Sequence, residues 1–276
     1  MELWFTENHT DNVRFSMRVD RHIVSLTSDF QTPEFGKVLV IDGYVMLTEK
    51  DEFIYHEMIT HVPMAVNPNI KRILVIGAGD GGTIRELTCY ETVESIDMVE
   101  IDKKVVEICK EHIPQTASKL NEKKVNLYFE DGLKFVKTKK NEYDLIIVDS
   151  TDPIGPGTEL FTMEFYENCF NALVDDGILV NQHESPYYKN DAEAMQSAHK
   201  KIKAVFPIAK VYQAHFPTYG SGHWLFGFAS KKYDPIKDLN EDLWNSIGLK
   251  TNYYNTKLHK GSFYIPNYVI KLLNNA

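Results

Sequence analysis

The sequence has few cysteines and no framework of paired ones. Its 276 residues include three cysteines, Cys89, Cys109 and Cys169, each in a stretch of helical character and none in a Cys-x-x-Cys pair. An odd, scattered set argues against a fold held together by disulfides or by a cysteine-bound metal. We therefore expect buried thiols in a reducing compartment.

Long apolar runs and an excess of positive charge are also absent. No apolar stretch approaches the roughly 20 residues that span a bilayer, and the first residues, MELWFTENHTD, lack the apolar core of a secretion signal. Acidic residues outnumber basic ones by 39 to 30, which gives a net charge of −9. This balance argues against a nucleic acid partner and is compatible with a cationic ligand. We predict a cytoplasmic protein that acts on small molecules, with no nucleic acid or membrane partner.

Two styles of sequence follow each other along the chain. Residues 1–50 contain short β-like runs, and Asp42-Gly43 between two apolar stretches is a strong hairpin signal. Over residues 51–276, helical patterns alternate with short apolar runs such as RILVI and YDLIIVD. Such alternation is typical of βαβ units. We predict an α/β fold, a doubly wound and mostly parallel sheet that forms a catalytic domain, preceded by a small N-terminal β domain.

The first strand of this alternating pattern ends in a glycine turn, GAGDGG. Gly77, Gly79 and Gly82 fit the G-x-G-x-x-G spacing between a strand and a helix, where backbone N–H groups can approach a ligand closely. The spacing also admits a dinucleotide, but Asp80 inside the turn would repel a pyrophosphate. A nucleoside with a positive charge is favoured instead, such as the sulfonium S-adenosylmethionine or a relative.

The next three predicted strands each deliver an acid to the same edge of the sheet. Glu100 follows the second strand, 23 residues after Gly77, where a carboxylate can accept bonds from both ribose hydroxyls. Asp131 follows the third strand and Asp149 the fourth. Taken singly, each acid is equally explained as a helix N-cap or a turn residue. Because doubly wound sheets bind ligands beyond the carboxyl ends of their strands, the acids together indicate a binding site for a cation.

Eight short motifs extend this pattern over essentially the whole chain. They are ELWFTE (2–7), YHEMITHVP (55–63), GAGDGG (77–82), MVEID (98–102), EDG (130–132), DSTDPIGPG (149–157), NQHES (181–185) and PTYGSGHW (217–224). The set resembles the spermidine synthase family, the aminopropyltransferases. DSTDPIGPG together with YHEM is specific, because ordinary methyltransferases carry neither.

The resemblance implies both a fold and a reaction. The fold is Rossmann-like, of the class I methyltransferase type. The reaction transfers the aminopropyl group of decarboxylated S-adenosylmethionine to putrescine and yields spermidine and 5'-methylthioadenosine. Decarboxylated S-adenosylmethionine is then a co-substrate, and no separate cofactor is implied. The family pattern also suggests a homodimer or a higher homo-oligomer.

The same resemblance assigns one group of residues to the donor. Glu100 would hold the ribose, Asp131 and Gly132 would contact the adenine, and Asp80 would bind the ammonium of the aminopropyl arm. The other donor positions are Gly77, Gly79, Gln31, His56 and Pro156, the last of which would shape the adenosine pocket.

A second group is assigned to catalysis and to the acceptor amine. Asp149 stands at the position of the family's proton acceptor, and Trp4 would form the far wall of the diamine channel. The residues that would orient the diamine are Asp152, Tyr55, Gln182 and Tyr219.

The chemistry of an amine nucleophile explains why two aspartates stand together in DSTDPIGPG. A primary alkylamine has a pKa near that of lysine, about 10.4, so freeing its lone pair at pH 7 costs roughly 4.6 kcal/mol. Asp149 can bind the ammonium and take its proton as attack proceeds. Asp152 precedes a proline and is therefore biased to an extended backbone, which can turn its carboxylate toward the same substrate. The leaving group is already a sulfonium, so it departs as a neutral thioether without an acid or a metal.

Three features depart from the family or from a common metal motif. His56 and His61 in HEMITH are five residues apart, one more than in the zinc-binding H-E-x-x-H, and we predict no metal site. Only Thr32-Pro33 stand where family members carry a longer segment, and Ala78 stands where a third glycine is more usual.

Other functions fit parts of the pattern. An aminopropyltransferase with another acceptor, such as cadaverine, agmatine or spermidine, would need only a different pocket length. A putrescine N-methyltransferase would use S-adenosylmethionine itself, whose carboxylate Asp80 should repel. A NAD-dependent dehydrogenase would need hydride-transfer residues that the chain does not display. A non-catalytic polyamine or nucleoside sensor would have no need of Asp149, Asp152 and Tyr55 together.

Overall fold

The structure is a computed structural model that describes residues 3–25, 28–32, 34–150 and 159–275, with the backbone alone for residues 22–25 and 28–32. Some of the predicted site lies outside this description. Asp152 and Pro156 are among the residues not described, Gln31 is described without its side chain, and the short segment at Thr32-Pro33 is not fully covered.

The N-terminal strands form two small antiparallel sheets, one of two strands and one of four. The hairpin predicted at Asp42-Gly43 is confirmed. Both turn residues have positive φ, 52° and 88°, as a two-residue turn between the paired Ile41 and Tyr44 requires. The strands are β1 (Leu3–Thr10) and β2 (Val13–Val19) in the first sheet, and β3 (Arg21–Ser25), β4 (Ser28–Thr32), β5 (Gly36–Ile41) and β6 (Tyr44–Thr48) in the second.

The rest of the chain is built on one seven-stranded sheet. Its strands are β7 (Arg72–Gly77), β8 (Ser95–Val99), β9 (Val125–Tyr128), β10 (Tyr143–Asp149), β11 (Leu173–Gln182), β12 (Ile208–His215) and β13 (His223–Ser230). They lie in the order β12-β13-β11-β10-β7-β8-β9. Neighbours from β11 to β9 are parallel, whereas β13 is antiparallel to both of its neighbours. The predicted doubly wound α/β fold is confirmed, and the division into domains at residue 50 stays a prediction.

Helices cover both faces of this sheet. They are α1 (Glu52–Val66), α2 (Gly82–Thr88), α3 (Lys103–His112), α4 (Pro114–Ala117), α5 (Gly132–Lys137), α6 (Met163–Ala172), α7 (Lys189–Val205), α8 (Glu241–Ile247), α9 (Thr256–Ser262) and α10 (Asn267–Asn274). The sequence pattern did not indicate α4, α5 or the last three. None of the helices that the structure describes is long and apolar enough to cross a membrane.

The apolar runs form central strands because both of their faces are buried. In β7, Ile73 and Val75 join the core on one side of the sheet, while Leu74 and Ile76 join the core on the other. Two of the cysteines, Cys109 and Cys169, are buried as predicted. The prediction is wrong for Cys89, which is exposed because it lies at the C-terminal end of the short helix α2.

The order of the strands places a crevice beyond the carboxyl end of β7. From β7 the chain adds β8 and β9 on one side and then returns to place β10 on the other side. Connections that diverge in this way leave a gap between β7 and β10, where doubly wound sheets bind ligands. Along one edge of that gap runs α1, in which all but one of the residues are buried, including the polar Glu52 and His56.

Ala78 occupies a strained position in the glycine turn. Its φ is +63°, in the left-handed region, and it is buried. An L-residue other than glycine loses roughly 1–2 kcal/mol there, whereas the buried methyl group contributes about 0.8 kcal/mol. The backbone cost is therefore the larger of the two.

We predict that Ala78→Gly leaves stability unchanged or raises the free energy of unfolding by up to about 1 kcal/mol. Thermal and urea unfolding would measure this change. Ala198→Gly is the matched control, because Ala198 is equally buried but lies within α7. That variant should lose at least about 1 kcal/mol. A larger loss for Ala78→Gly than for Ala198→Gly would contradict the assignment of strain.

Candidate active site

A cavity of about 460 Å³ lies at the carboxyl ends of β7, β8 and β10. This volume is in the usual range for a small-molecule site. Its walls combine the glycine turn, the ends of β8 and β10, the start of α1 and, from the N-terminal sheets, residues of β1, β5 and β6. Most of the described residues that the sequence assigned to the site line it: Tyr55, His56, Gly77, Gly79, Asp80, Glu100, Asp131, Gly132, Asp149, Gln182 and Tyr219.

Asp149 is fixed through both its backbone and its side chain. Its carbonyl oxygen accepts a bond from the N–H of Ala78 at 2.8 Å. A Cβ on Gly77 would lie 2.0 Å from the same oxygen, so only glycine fits there. Thr83 donates its hydroxyl to Oδ2 at 2.6 Å, and the hydroxyl of Tyr55 also bonds to this carboxylate.

The environment of Asp149 tunes it as a base. Burial and the nearby carboxylate of Asp80 raise the pKa of Asp149 to about 6, against the opposing effects of His56, Thr83 and Tyr55. A carboxyl with this pKa is mostly ionised at pH 7, yet it binds a proton more readily than an ordinary aspartate. This combination suits a group that must both attract a cation and take a proton from it.

A chain of alternating charges leads into the cavity from α2. The guanidinium of Arg85 binds both oxygens of Glu52, at 2.8 and 3.0 Å. Glu52 in turn bonds to Nδ1 of His56 at 2.5 Å, and Nε2 of His56 lies 3.1 Å from Oδ1 of Asp80. Burial opposes protonation of His56, but the carboxylates of Asp80 and Glu52 raise its pKa well above the ordinary value. His56 is therefore an imidazolium.

Asp80 reaches the cavity from within the glycine turn. Burial alone would raise the pKa of Asp80, but the imidazolium of His56 and the N–H of Gly82 hold it below its usual value. The ring of His56 lies so close to the turn that a Cβ on Gly82 would be 2.2 Å from its Cε1. Asp80 is thus an ionised carboxylate whose position is fixed by two neighbours.

His56, Asp80 and Asp149 also lie close enough together to raise the question of a metal ion. One ligand atom of each lies within 4.8 Å of the others. Both ring nitrogens of His56 already face carboxylates, however, and an imidazolium has no lone pair to give to a metal. The pair of carboxylates suits the ammonium of an organic ligand better than a metal, and the absence of a metal site stays a prediction.

Glu100 stands at the end of β8 on the other side of the glycine turn. Burial raises the pKa of Glu100 to about 7, although the N–H of Asp102 donates to Oε1 at 2.9 Å. A Cβ on Gly79 would lie 3.0 Å from Oε2, so the glycine leaves room for the carboxylate. The carboxyl of Glu100 is therefore partly ionised at neutral pH. A bound ligand that favours the ionised form can donate hydrogen bonds to it from a diol.

Asp131 and Gly132 form the start of α5 at the next strand end. Oδ1 of Asp131 caps the helix by accepting bonds from Leu133 and Lys134 at 2.9 and 3.4 Å. A Cβ on Gly132 would lie 2.5 Å from Cγ2 of Ile76, so glycine permits the helix to begin close to the sheet. The N-cap alternative therefore holds for Asp131, and its contact with an adenine stays a prediction.

Aromatic side chains line the side of the cavity opposite the glycine turn. The ring of Tyr219 stacks on Phe216, with centroids 4.8 Å apart, and its hydroxyl donates to the carbonyl of Met46 at 2.8 Å. The amide of Gln182 is held at both ends by Glu184, through bonds of 2.8 and 3.1 Å. These contacts hold two predicted acceptor residues in fixed orientations.

Trp4 does not join the other predicted residues. Its side chain is 54% exposed, and it is not among the described residues that line the cavity. Side chains alternate between the two faces of β1, so the face that carries Glu7 and His9 lines the cavity instead. The register of the β1–β2 hairpin, rather than residue type, decides which face that is.

Thr83, Glu7 and His9 were not singled out by the sequence. For Thr83 a signal existed, since a hydroxyl in the first turn of the helix after a glycine turn lies beside the neighbouring strand end. Glu7 ends the ELWFTE motif, but its motif position indicated no role for it. For His9 no signal existed, because it reaches the cavity only through packing between elements far apart in the sequence.

We predict that Thr83→Val raises the pKa of Asp149 by roughly 1, because a hydrogen bond to an ionised carboxylate is lost. The carboxyl carbons of ¹³C-labelled aspartate would be titrated by NMR, with Asp149→Asn used to assign the signal. Thr83→Ser keeps the hydroxyl and should keep the original pKa. An unchanged pKa in Thr83→Val would show that this bond does not tune the base.

Known proteins place this site in a family. Residues 3–49 match the family model described as the spermidine synthase tetramerisation domain, and residues 52–240 match the spermine/spermidine synthase domain. A polyamine aminopropyltransferase of Alkaliphilus oremlandii is 69% identical and covers 99% of this chain and 98% of that protein. One of Clostridium botulinum is 67% identical, with 99% of each covered.

Solved structures agree with these relatives. A crystal structure of a spermidine synthase in complex with the transition state analogue AdoDATO is 40% identical and superposes with a TM-score of 0.96, over 99% of this chain and 96% of that one. The spermidine synthase of Thermotoga maritima is 39% identical, with a TM-score of 0.92 over 99% and 94%. The chain therefore belongs to the spermine/spermidine synthase family, and it is an aminopropyltransferase.

Proposed function

We propose that the protein is a spermidine synthase, which transfers the aminopropyl group of decarboxylated S-adenosylmethionine to putrescine. The observation that carries this proposal is the placement of two carboxylates in one cavity. Asp80 stands in the glycine turn, and Asp149 lies between that turn and the aromatic wall. A reaction between two cationic molecules needs an anion for each of them, because their mutual repulsion opposes their approach.

The donor would bind along the glycine turn. Glu100 would accept bonds from the ribose hydroxyls, and the adenine would lie near Asp131 and Gly132. The ammonium of the aminopropyl arm would join Asp80, which His56 and Gly82 hold in place. S-adenosylmethionine itself carries a carboxylate next to that ammonium, and Asp80 would repel it. This difference supports the decarboxylated donor over a methyltransferase reaction.

The acceptor would bind between Asp149 and the aromatic wall. The nitrogen lone pair attacks the methylene carbon next to sulfur, the carbon–sulfur bond breaks, and its electron pair stays on sulfur. The sulfonium thereby becomes the neutral thioether of 5'-methylthioadenosine. Asp149 takes the proton that the attacking nitrogen loses, and Tyr55 keeps the carboxylate aimed at that nitrogen. Rate acceleration comes mainly from alignment of the two substrates and from exclusion of water.

We also propose a homo-oligomer, in line with the match of residues 3–49 to a tetramerisation domain. The exposed Leu3 and Trp4 on β1 lie in this part of the chain. The cytoplasmic location stays a prediction.

We predict that the purified protein forms 5'-methylthioadenosine and spermidine from decarboxylated S-adenosylmethionine and putrescine. Mass spectrometry would follow both products, with cadaverine, agmatine and spermidine as competing acceptors. Asp149→Asn should lower kcat by at least about 100-fold, because it removes general-base catalysis. Product with a longer amine alone would reject putrescine as the acceptor. Methylation by S-adenosylmethionine, without methylthioadenosine, would reject the aminopropyl reaction.

We predict an acid limb in the pH profile that reports the ionisation of Asp149. With both substrates far below saturation, the rate should begin to fall below about pH 7, where Glu100 is protonated, and should fall more steeply below about pH 6, where Asp149 is protonated as well and only the ionised carboxylate takes a proton. At saturation the limb should move to lower pH, because bound cations favour the ionised form. A rate that rises continuously to pH 8 would instead indicate that the amine loses its proton in solution.

A further inference from the structure

The second histidine of the HEMITH stretch has no part in the site described above. His61 lies on α1 five residues after His56, and it is 1% exposed. A ring buried this deeply needs hydrogen-bond partners for its nitrogens, because an unpaired polar group away from water is costly. The partners of His61 therefore indicate which other side chains it orients.

On one side, a hydroxyl from the segment after α2 binds His61. Nδ1 of His61 lies 2.8 Å from the hydroxyl of Tyr90, and the same oxygen accepts a bond from Nε1 of Trp244 in α8 at 2.9 Å. Burial raises the pKa of Tyr90 well above its usual value, so this hydroxyl keeps its proton. Among the described residues the hydroxyl contacts no other acceptor, so it donates its proton to Nδ1 of His61.

The proton of the imidazole ring is therefore on its other nitrogen. Nε2 of His61 lies 3.3 Å from Oε2 of Glu86 and has no other hydrogen-bond partner in the described part of the chain. The carboxylate would repel a lone pair at Nε2, whereas it attracts an N–H. Three aromatic rings contact the imidazole and restrict its rotation, with centroids 5.4–5.8 Å away: those of Tyr90, Trp244 and Tyr254.

Glu86 connects His61 to Arg85, where the chain of alternating charges begins. Oε1 of Glu86 lies 2.8 Å from Nε and 2.7 Å from Nη2 of Arg85. Burial would raise the pKa of Glu86, but His61 and Arg85 hold it below its usual value, so the carboxylate is ionised. One guanidinium therefore lies between two carboxylates, with Glu86 on one edge and Glu52 on the other.

Two carboxylates fix the orientation of the guanidinium. A long arginine side chain can bind a single carboxylate in several geometries, but carboxylates on different edges of the planar fork leave one orientation. In that orientation Nη1 and Nη2 meet the two oxygens of Glu52, which binds Nδ1 of His56. The order of hydrogen bonds and ion pairs from α8 to the cavity is Trp244, Tyr90, His61, Glu86, Arg85, Glu52, His56 and Asp80.

We propose that His61 is a positioning residue for the donor side of the active site. Its Nε2–H fixes the carboxylate of Glu86, which in turn keeps the guanidinium of Arg85 at Glu52. Asp80, at the end of the same chain of charges, then stays aimed at the ammonium of the donor, so this inference rests on the proposed function. Without the Nε2–H, Glu86 turns its free oxygen toward the guanidinium and draws it away from Glu52.

A packing role alone would not need this N–H. The ring contacts that join α1 to α8 depend on the shape of the side chain, whereas the effect on Asp80 depends on a proton at one nitrogen. Two variants separate these roles, since each keeps one of the two polar contacts of His61. The side-chain oxygen of His61→Asn can take the place of Nδ1 at Tyr90, and the amide nitrogen of His61→Gln can take the place of Nε2 at Glu86.

The readout is the preference of the protein for a ligand that carries the donor ammonium. Calorimetric titration would give the dissociation constants of decarboxylated S-adenosylmethionine and of 5'-methylthioadenosine, which lacks the aminopropyl arm and its ammonium. We predict that His61→Asn lowers this preference roughly 5- to 20-fold, as expected when a charge-assisted contact is weakened. His61→Gln should keep the preference within about twofold, and the KM of the acceptor amine should stay unchanged in both variants.

The position of the ring proton is tested without any ligand. In ¹⁵N spectra of the wild-type protein with labelled histidine, His61 should be the neutral form with its proton on Nε2, and its signals should be assigned by their loss in His61→Gln. A proton on Nδ1 instead would overturn the inference, even if neither variant folded.

The binding measurements can also contradict the inference. A fall of the same size in His61→Asn and His61→Gln would overturn it, and so would an equal loss of affinity for both ligands, which a packing role explains. A wild-type protein that prefers decarboxylated S-adenosylmethionine to 5'-methylthioadenosine but forms no product with any amine would refute the proposed function and leave the inference standing.

Discussion

The alternation of charge from Arg85 through Glu52 and His56 to Asp80 is the arrangement that makes the rest of the site possible. Asp80 and Asp149 repel each other in a cavity from which water is partly excluded, and burial together with this repulsion raises the pKa of Asp149. The imidazolium of His56 offsets part of it. The carboxylates of Asp80 and Glu52 keep that imidazolium charged, and Arg85 in turn keeps Glu52 ionised. Loss of one partner from a buried ion pair typically costs about 3–5 kcal/mol. The charge states of these four side chains therefore depend on one another.

This electrostatic arrangement also couples the proposed binding of the donor to the ionisation of Asp149. Without a bound cation, ionisation of all the acids in the cavity is unfavourable, as the raised pKa values of Glu100 and Asp149 indicate. The first cation to enter stabilises the ionised forms of both groups. In the proposed reaction, a donor that binds first would favour the ionised form of Asp149 before the amine gives up its proton. Substrate binding and preparation of the base are parts of one equilibrium.

The sequence was sufficient for the features that depend on local pattern. Apolar runs marked β7 and β10, and the glycine turn marked the crevice, because Gly77 must leave room for the backbone of Asp149. The pattern was insufficient where a contact joins distant parts of the chain. Glu7 reaches Val45 across 38 residues, and the face of β1 that turns inward depends on hairpin register. For this reason the sequence did not show that Trp4 lies on the opposite face of that strand from Glu7, and its contact with a diamine stays a prediction.

The hydroxyl of Tyr219 bonds to a main-chain carbonyl of β6, and Glu7 bonds to a main-chain N–H of the same strand. Every substitution keeps the main-chain carbonyl and N–H groups, except that proline removes the N–H. The side chains of β6 can therefore change without loss of these two hydrogen bonds. A change of length at the Asp42-Gly43 turn would instead move both of these main-chain groups at once. Insertion or deletion at the β5–β6 turn would therefore change the proposed acceptor side of the cavity, while the proposed donor side is left as it is.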